Sequence, residues 1–130
     1  MSNIKRVAKE IITGIDEVVE GVSEEQIETM LGAVLASKNR KILTLGSGRS
    51  GFVGNSFALR LMHLGFNIYV AGETITPALT KGDLVIAISG SGTTRTVVTQ
   101  AEVAKEIGAK VLAVTSHPES PLGLISDIVV

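Results

Sequence analysis

Short apolar runs alternate with segments of helical periodicity from residue 41 to the end of this 130-residue chain. Strands that alternate with helices fold into a parallel sheet with helices packed on its faces. The run Leu84–Ile88 contains no polar residue, as expected for a strand that helices cover on both sides. The predicted strands are Lys41–Leu45, Phe66–Val70, Asp83–Ser89, Lys110–Thr115 and Asp127–Val130. The predicted helices between them are Ser50–Leu64 and Thr94–Ile107, and a short helical turn is expected from Ser120 and Pro121.

Two further helices are predicted before the alternating region. The first has apolar residues at helical spacing along one face, and Gly21 is expected to end it. Ser23, with Gln26 three residues later, matches a capping box and predicts that a second helix runs to about Ser37. These leading helices occupy residues 1–37.

The expected fold is a single α/β domain over residues 1–130, with an α/β core in residues 41–130 behind the leading helices. Right-handed crossovers favour a three-layer, doubly wound fold with a five-stranded parallel sheet in the flavodoxin-like order 2-1-3-4-5. The chain stops within the apolar run Ile128–Val130. We therefore expect the complete protein to continue with a further C-terminal segment.

Composition restricts the class of partner. The formal net charge of −1 argues against nucleic acid or an anionic membrane surface as a partner. The chain has no cysteine, and its two histidines, His63 and His117, are far apart in sequence, so no metal site is expected. No segment has the length of a membrane span or the pattern of a signal peptide, which favours a cytoplasmic protein.

Two turns rich in glycine and hydroxyl side chains follow the first and third predicted strands. In the order 2-1-3-4-5 these strands are neighbours, and ligands of such sheets bind outside the carboxyl ends of the strands where the chain order reverses. Glycines let the backbone approach a ligand, and the helices that follow present free N–H groups to an anion. The alternative is that the hydroxyl side chains only cap these helices. We predict a phosphate-binding pocket for a small phosphorylated molecule, formed by Gly48, Arg49, Ser50, Ser89, Gly90, Ser91 and Thr94.

The first turn also matches the glycine pattern of a dinucleotide-binding site. That site needs an acidic residue at the end of the second strand, about 20 residues further on, to bind the ribose hydroxyls. The nearest acidic residue is Glu73, which lies 27 residues after Gly46 and beyond the predicted strand. The dinucleotide hypothesis also leaves the second turn unexplained, so we rank an oxidoreductase below a phosphate site.

Four segments of the chain resemble the sugar isomerase (SIS) domain family. Within this family they most resemble the 6-phospho-3-hexuloisomerase branch. They are GSGRSG, FALRLMHLGF, VAGETITPAL and GDLVIAISGSGTT. The resemblance implies a sugar-phosphate isomerase that interconverts a 3-hexulose 6-phosphate and fructose 6-phosphate, as used in formaldehyde assimilation. It implies that the phosphate is bound by Ser50, Ser89, Ser91 and Thr94, with backbone N–H groups from Gly90 and its neighbours.

The same resemblance limits what this chain is expected to do alone. Isomerases of the family take their acid–base Glu and His largely from segments beyond the fifth strand, and the His often comes from a neighbouring subunit. The catalytic residues are therefore unassigned here. Glu73 is the best-placed carboxylate for a substrate contact, and the alternative is a solvated or loop-structuring residue. The reaction needs no metal or organic cofactor. The resemblance and the apolar first helix also predict a homo-oligomer, most readily a tetramer.

Three further residues and one further function remain open. Arg49 is expected to contact the phosphate or Glu73, with a subunit-interface ion pair as the alternative. We interpret His63 as a histidine packed on its helix, and His117 as a turn residue near the site. The alternative function is a non-catalytic SIS module that binds a phosphosugar, as in transcription regulators carrying this domain.

Overall fold

A computed structural model describes residues 2–130 as five helices and five strands. The helices are α1 (Asn3–Gly21), α2 (Glu24–Ala36), α3 (Gly48–His63), α4 (Arg95–Ile107) and α5 (Pro121–Ile125). The strands are β1 (Lys41–Gly46), β2 (Asn67–Val70), β3 (Leu84–Ile88), β4 (Lys110–Val114) and β5 (Ile128–Val129). All pairs are parallel and the strand order is β2-β1-β3-β4-β5. The predicted fold class is therefore confirmed.

The core lies on both faces of the sheet, because successive side chains of a strand point to opposite sides. Val85 and Ala87 of β3 pack on one face in a cluster that includes α4 and α5 side chains. Leu84 and Ile86 pack on the other face in a cluster that includes α2 and α3 side chains. Three layers follow directly from this alternation.

The two leading helices differ in how many of their residues are buried. The α1 helix has no buried residue. Its large apolar residues, from Ile4 to Val19, are 44–82% exposed. The Ser23 hydroxyl accepts the Gln26 N–H at the start of α2, as the capping box predicts. The Gln26 side chain does not return to Ser23 but donates to the Val129 carbonyl, at 3.2 Å. This contact ties α2 to the edge strand β5.

The largest difference from the predicted boundaries concerns α3. The helix begins at Gly48 and not at Ser50, because the extended Ser47 is its N-cap and the Ser47 carbonyl accepts the Gly51 N–H. The glycine-rich turn after β1 is therefore itself the first turn of the helix.

None of the helices in the described chain combines the length and the hydrophobicity that a transmembrane span requires.

A buried aspartate fixes the amino-terminal edge of the sheet. Asp83 is 2% exposed, and its carboxylate accepts the Thr80 N–H at 2.7 Å and the Lys41 N–H at 3.1 Å. The Lys41 ammonium lies 3.1 Å from the same carboxylate. Burial raises the pKa of Asp83, but the hydrogen bonds from Thr80 and Lys41 outweigh it and hold the pKa below its ordinary value. The ionised form therefore stabilises the fold.

We expect Asp83→Ala to lower the free energy of unfolding by about 3 kcal/mol, because it leaves buried donors without an acceptor. Since the pKa is lowered on folding, the contribution of Asp83 is present at neutral pH and is lost as the pH falls below about 4. Urea unfolding at pH 7 and pH 3 measures both effects. Asp16→Ala, at an exposed position of α1, is the control. An equal loss in the two variants at pH 7 would contradict the assignment.

Candidate functional site

The two predicted turns begin side by side at the carboxyl edge of the sheet. In the register of β1 and β3, Gly46 is paired with Ile88, so both strands end at the same level. Adjacent strands lie about 4.8 Å apart. The first turn after Gly46 and the second turn after Ile88 are therefore neighbours, as the 2-1-3 order of strands predicts.

Close backbone packing defines the first turn. A Cβ atom on Gly46 would lie 2.9 Å from Gly51 Cα, so only glycine lets the start of α3 approach the end of β1 this closely. Gly48 has a φ of +55°, a conformation that favours glycine. Arg49 is exposed and Ser50 is half-buried. The first intrahelical bond is donated by Gly51, so the N–H groups of residues 48–50 have no helical partner.

Hydrogen bonds between hydroxyl groups organise the second turn. Ser89 is 1% exposed, and its hydroxyl lies 2.8 Å from the Thr94 hydroxyl and accepts the Gly92 N–H at 3.1 Å. Ser91 is exposed, and its hydroxyl accepts from the N–H and the hydroxyl of Thr93. The structure thus brings Ser89 and Thr94 together, whereas Ser91 is paired with Thr93, which is not among the predicted site residues.

Side-chain capping separates these two turns from the other helix starts. Ser2, Ser23 and Ser120 each accept a backbone N–H in the first turn of α1, α2 and α5. Ser47 and Thr94, at the starts of α3 and α4, make no such bond. Capping therefore does not account for their hydroxyl groups. The positive ends of both helix dipoles are left for an anion at this edge.

A cleft of about 550 Å³ lies at the same edge. Ser50 and Gly90, one residue from each turn, line it together with Thr115 and Ser116 from the turn after β4. The opposite wall comes from the junction of the leading helices, including Val18, Gly21, Val22, Gln26 and Ile27. The leading helices, predicted only to form subunit contacts, thus also contribute their junction to the cleft.

The histidines fall in different places. His117 lies beside the second turn, with Nδ1 3.2 Å from the Gly90 carbonyl oxygen. His63 is the last residue of α3 and its side chain is exposed, so its interpretation as a packed helix histidine is wrong. The α3 helix starts at the carboxyl edge and returns along the sheet for about 22 Å. His63 therefore lies far from the cleft.

The structure places Glu73 outside the cleft. Its side chain is exposed and lines a separate groove of about 290 Å³ beside Leu59 and Met62 of α3. Within residues 2–130, Arg49 makes no ion pair with Glu73 or with any other carboxylate. In the same part of the chain, no three His, Asp or Glu side chains lie close enough together to hold a metal ion.

Two of the polar cleft residues were missed although a sequence signal existed. Thr115 and Ser116 directly follow β4, at the edge where the other hydroxyl-rich turns lie. The same rule that selected the turns after β1 and β3 applies to the turn after β4. The prediction rested on glycine-rich turns, and this turn contains no glycine.

Comparisons with known proteins identify the family of the chain. The family model of the SIS domain matches residues 35–130. A protein of Aeropyrum pernix is 51% identical over 98% of this chain and 59% of its own length. The 3-hexulose-6-phosphate isomerase of Bacillus subtilis is 40% identical over 93% of this chain and 64% of its own length. The chain thus spans about three fifths of the length of these curated relatives.

A solved structure extends the comparison to the fold. A crystal structure from Methanococcus jannaschii, for which a function as 3-hexulose-6-phosphate isomerase was inferred, superposes with a TM-score of 0.76 at 39% identity. The superposed region covers 82% of this chain and 59% of the Methanococcus jannaschii chain. The chain belongs to the SIS domain family. The predicted family is therefore confirmed, and the dinucleotide-binding hypothesis is set aside.

Neighbouring glycines of the second turn provide a test of its packing. Gly92 has a φ of +67°, and a Cβ atom there would overlap the Ser120 hydroxyl group. A Cβ atom on Gly90 meets nothing within 4 Å. We expect Gly92→Ala to lower the free energy of unfolding by more than about 2 kcal/mol and Gly90→Ala by less than about 1 kcal/mol. Urea unfolding of both variants measures the difference, and equal losses would mean that the turn is packed otherwise.

Proposed function

We propose that the protein is a sugar-phosphate isomerase that interconverts a 3-hexulose 6-phosphate and fructose 6-phosphate through a cis-enediolate. The observation that supports it best is the pair of helix starts, free of side-chain caps, that lie side by side at the cleft. The chain is also 40% and 45% identical to proteins named 3-hexulose-6-phosphate isomerase from Bacillus subtilis and Mycobacterium gastri.

In this proposal the two turns bind the phosphate group. Ser50 and Ser91 donate hydroxyl hydrogen bonds, and the N–H groups at the starts of α3 and α4 supply the partial positive charge. Ser89 and Thr94 hold the second turn through their mutual hydrogen bond. Gly48 and Gly90 let the backbone come close, and the exposed Arg49, next to Ser50 in the chain, adds a cation. Anchoring the phosphate positions the reacting carbons and contributes to the rate through orientation.

The isomerisation itself requires a base, an acid and a donor to the enediolate oxygen. A base removes the proton from one carbon, the oxyanion is stabilised, and a proton returns to the adjacent carbon. Within residues 2–130, the cleft lining contains no Asp or Glu side chain. We therefore assign phosphate binding to the described cleft and leave the proton-transfer groups unassigned. Glu73 acts at the site only through a rearrangement of its loop or from a neighbouring subunit.

The alternative function is a non-catalytic module that binds the same phosphosugar. It needs the same phosphate site and no proton-transfer groups. For the enzyme we propose a cytoplasmic location and a role in formaldehyde assimilation, since the named relatives are hexulose phosphate isomerases.

Ligand binding is tested first. We expect fructose 6-phosphate to raise the melting temperature and NAD to leave it unchanged, because only the former fits a monophosphate site. Ser91→Ala removes an exposed hydroxyl and should weaken fructose 6-phosphate binding by about tenfold. Ser56→Ala, an exposed serine of α3, is the matched control. Equal affinity in the two variants would place the phosphate elsewhere.

Turnover separates the two candidate functions. The chain is incubated with a 3-hexulose 6-phosphate, and the fructose 6-phosphate formed is measured with coupling enzymes. Binding with turnover supports the isomerase. The chain spans about three fifths of the length of its curated relatives, so binding without turnover supports the non-catalytic module only if a version extended to the relatives' length also shows no turnover. Absence of both binding and turnover would overturn the phosphosugar assignment altogether.

We further propose that the protein is a homo-oligomer, most readily a tetramer, with α1 in the subunit contact. The large apolar residues of α1 form one continuous exposed face. A face of this kind is costly in water and is typical of a contact surface. Because Val18 also lines the cleft, the proposed contact lies beside the site.

Sedimentation velocity at micromolar concentration tests this assembly. We expect a species several times larger than the 13.6 kDa monomer. Replacing both Ile11 and Ile15 by Glu should shift it to the monomer, because it puts charges into the contact. Lys9→Glu, on the polar face of α1, should leave the assembly intact. A monomeric parent protein would refute the proposal.

A further inference from the structure

The carbonyl oxygen of Gly90 accepts an unusual number of hydrogen bonds. The Ser116 N–H donates to it at 3.1 Å, and the Thr115 hydroxyl donates at 3.2 Å. His117 Nδ1 lies 3.2 Å from the same oxygen and donates when it carries the ring proton. The Thr115 hydroxyl also accepts the His117 N–H at 3.2 Å. A carbonyl oxygen has two lone pairs, and here three donors lie within hydrogen-bond distance of it. The direction of the Gly90 carbonyl is therefore firmly fixed.

The direction of this carbonyl determines the direction of the next N–H. The peptide bond is planar and trans, so the Gly90 carbonyl and the Ser91 N–H point in opposite directions. The three donors follow β4, and β3 lies between β4 and β1 in the sheet. The Ser91 N–H is therefore directed away from β4, toward the side where α3 starts. Within residues 2–130 this N–H has no hydrogen-bond partner.

We propose that Thr115 and His117 are positioning residues that hold the peptide between Gly90 and Ser91 with its N–H toward the anion. In the opposite orientation, the Gly90 carbonyl would face the phosphate and repel it, and the N–H would face three donors. The residues that follow β4 thus orient the turn after β3 for anion binding. This inference rests on the proposed phosphate site.

The test compares Thr115→Val with Thr115→Ser. Valine matches the shape of threonine but removes the hydroxyl, whereas serine keeps it. We expect Thr115→Val to weaken inorganic phosphate and fructose 6-phosphate binding about tenfold, and Thr115→Ser to remain within about twofold. The Ser91 amide cross-peak in a ¹H–¹⁵N spectrum should move in Thr115→Val and not in Thr115→Ser. Thr99→Val, at an exposed position of α4, controls for the loss of a hydroxyl.

Each outcome separates this inference from the proposed function. If the parent protein binds neither ligand, the phosphate site and the role of the two residues both fail. If the parent protein binds and Thr115→Val binds equally well with an unmoved Ser91 cross-peak, only the positioning role fails. If Thr115→Val loses affinity for fructose 6-phosphate but not for inorganic phosphate, Thr115 contacts the sugar instead, and the positioning role is again overturned.

His117 gives an independent pair of variants should Thr115→Val fail to fold. Asparagine places an amide donor near the position of Nδ1, and alanine places none. We expect His117→Ala to weaken phosphate binding several-fold and to move the Ser91 cross-peak. His117→Asn should keep the phosphate affinity and the cross-peak position of the parent protein. Equal behaviour of the two variants would contradict a role for the ring nitrogen.

Discussion

The parallel register of β1 and β3 is the constraint on which the candidate site depends. It pairs Gly46 with Ile88 and so ends both strands at one level. Each strand then passes directly into a turn that starts a helix, and the two helix starts become neighbours. A shift of the register by two residues would move one turn about 7 Å along the sheet, beyond the reach of a single phosphate. The fully buried side chains of β3 oppose such a shift, because it would move them away from the core residues that they pack against.

Most of the fold could be predicted from the sequence because it depends on local patterns. The apolar run of β3 and the glycines that end helices act over a few residues, and the strand order follows from general rules of chain connection. The turns at the site were predictable for the same reason. The pairing of Ser91 with Thr93 and the position of Glu73 were not, because they depend on the path of a turn and a loop in three dimensions. The wall formed by the α1–α2 junction depends on tertiary packing, which no local pattern encodes.

The two edges of the sheet have opposite hydrogen-bond arrangements. At the amino edge, carboxylates accept backbone N–H groups: Asp83 accepts from Thr80, and Asp127 accepts from Val111. Burial raises the pKa of Asp127, but hydrogen bonds from Lys105 and Val111 outweigh it and lower the pKa, as at Asp83. At the carboxyl edge, the N–H groups that start α3 and α4 have no side-chain acceptor. Carboxylate acceptors thus lie at one end of the strands, and backbone donors are left free at the other, where a bound anion would satisfy them.

The proposed oligomer gives the α1 helix a role at this free edge. An isolated amphipathic helix of 19 residues gains little stability in water without packing, and α1 buries none of its residues within the chain. The end of α1 and the residues that follow it, Val18 to Val22, form one wall of the cleft. A subunit that covers the apolar face of α1 would therefore also fix this wall. A fixed wall excludes water, and hydrogen bonds to a phosphate are stronger where water is excluded. Subunit assembly and phosphosugar binding would then stabilise each other through the same helix.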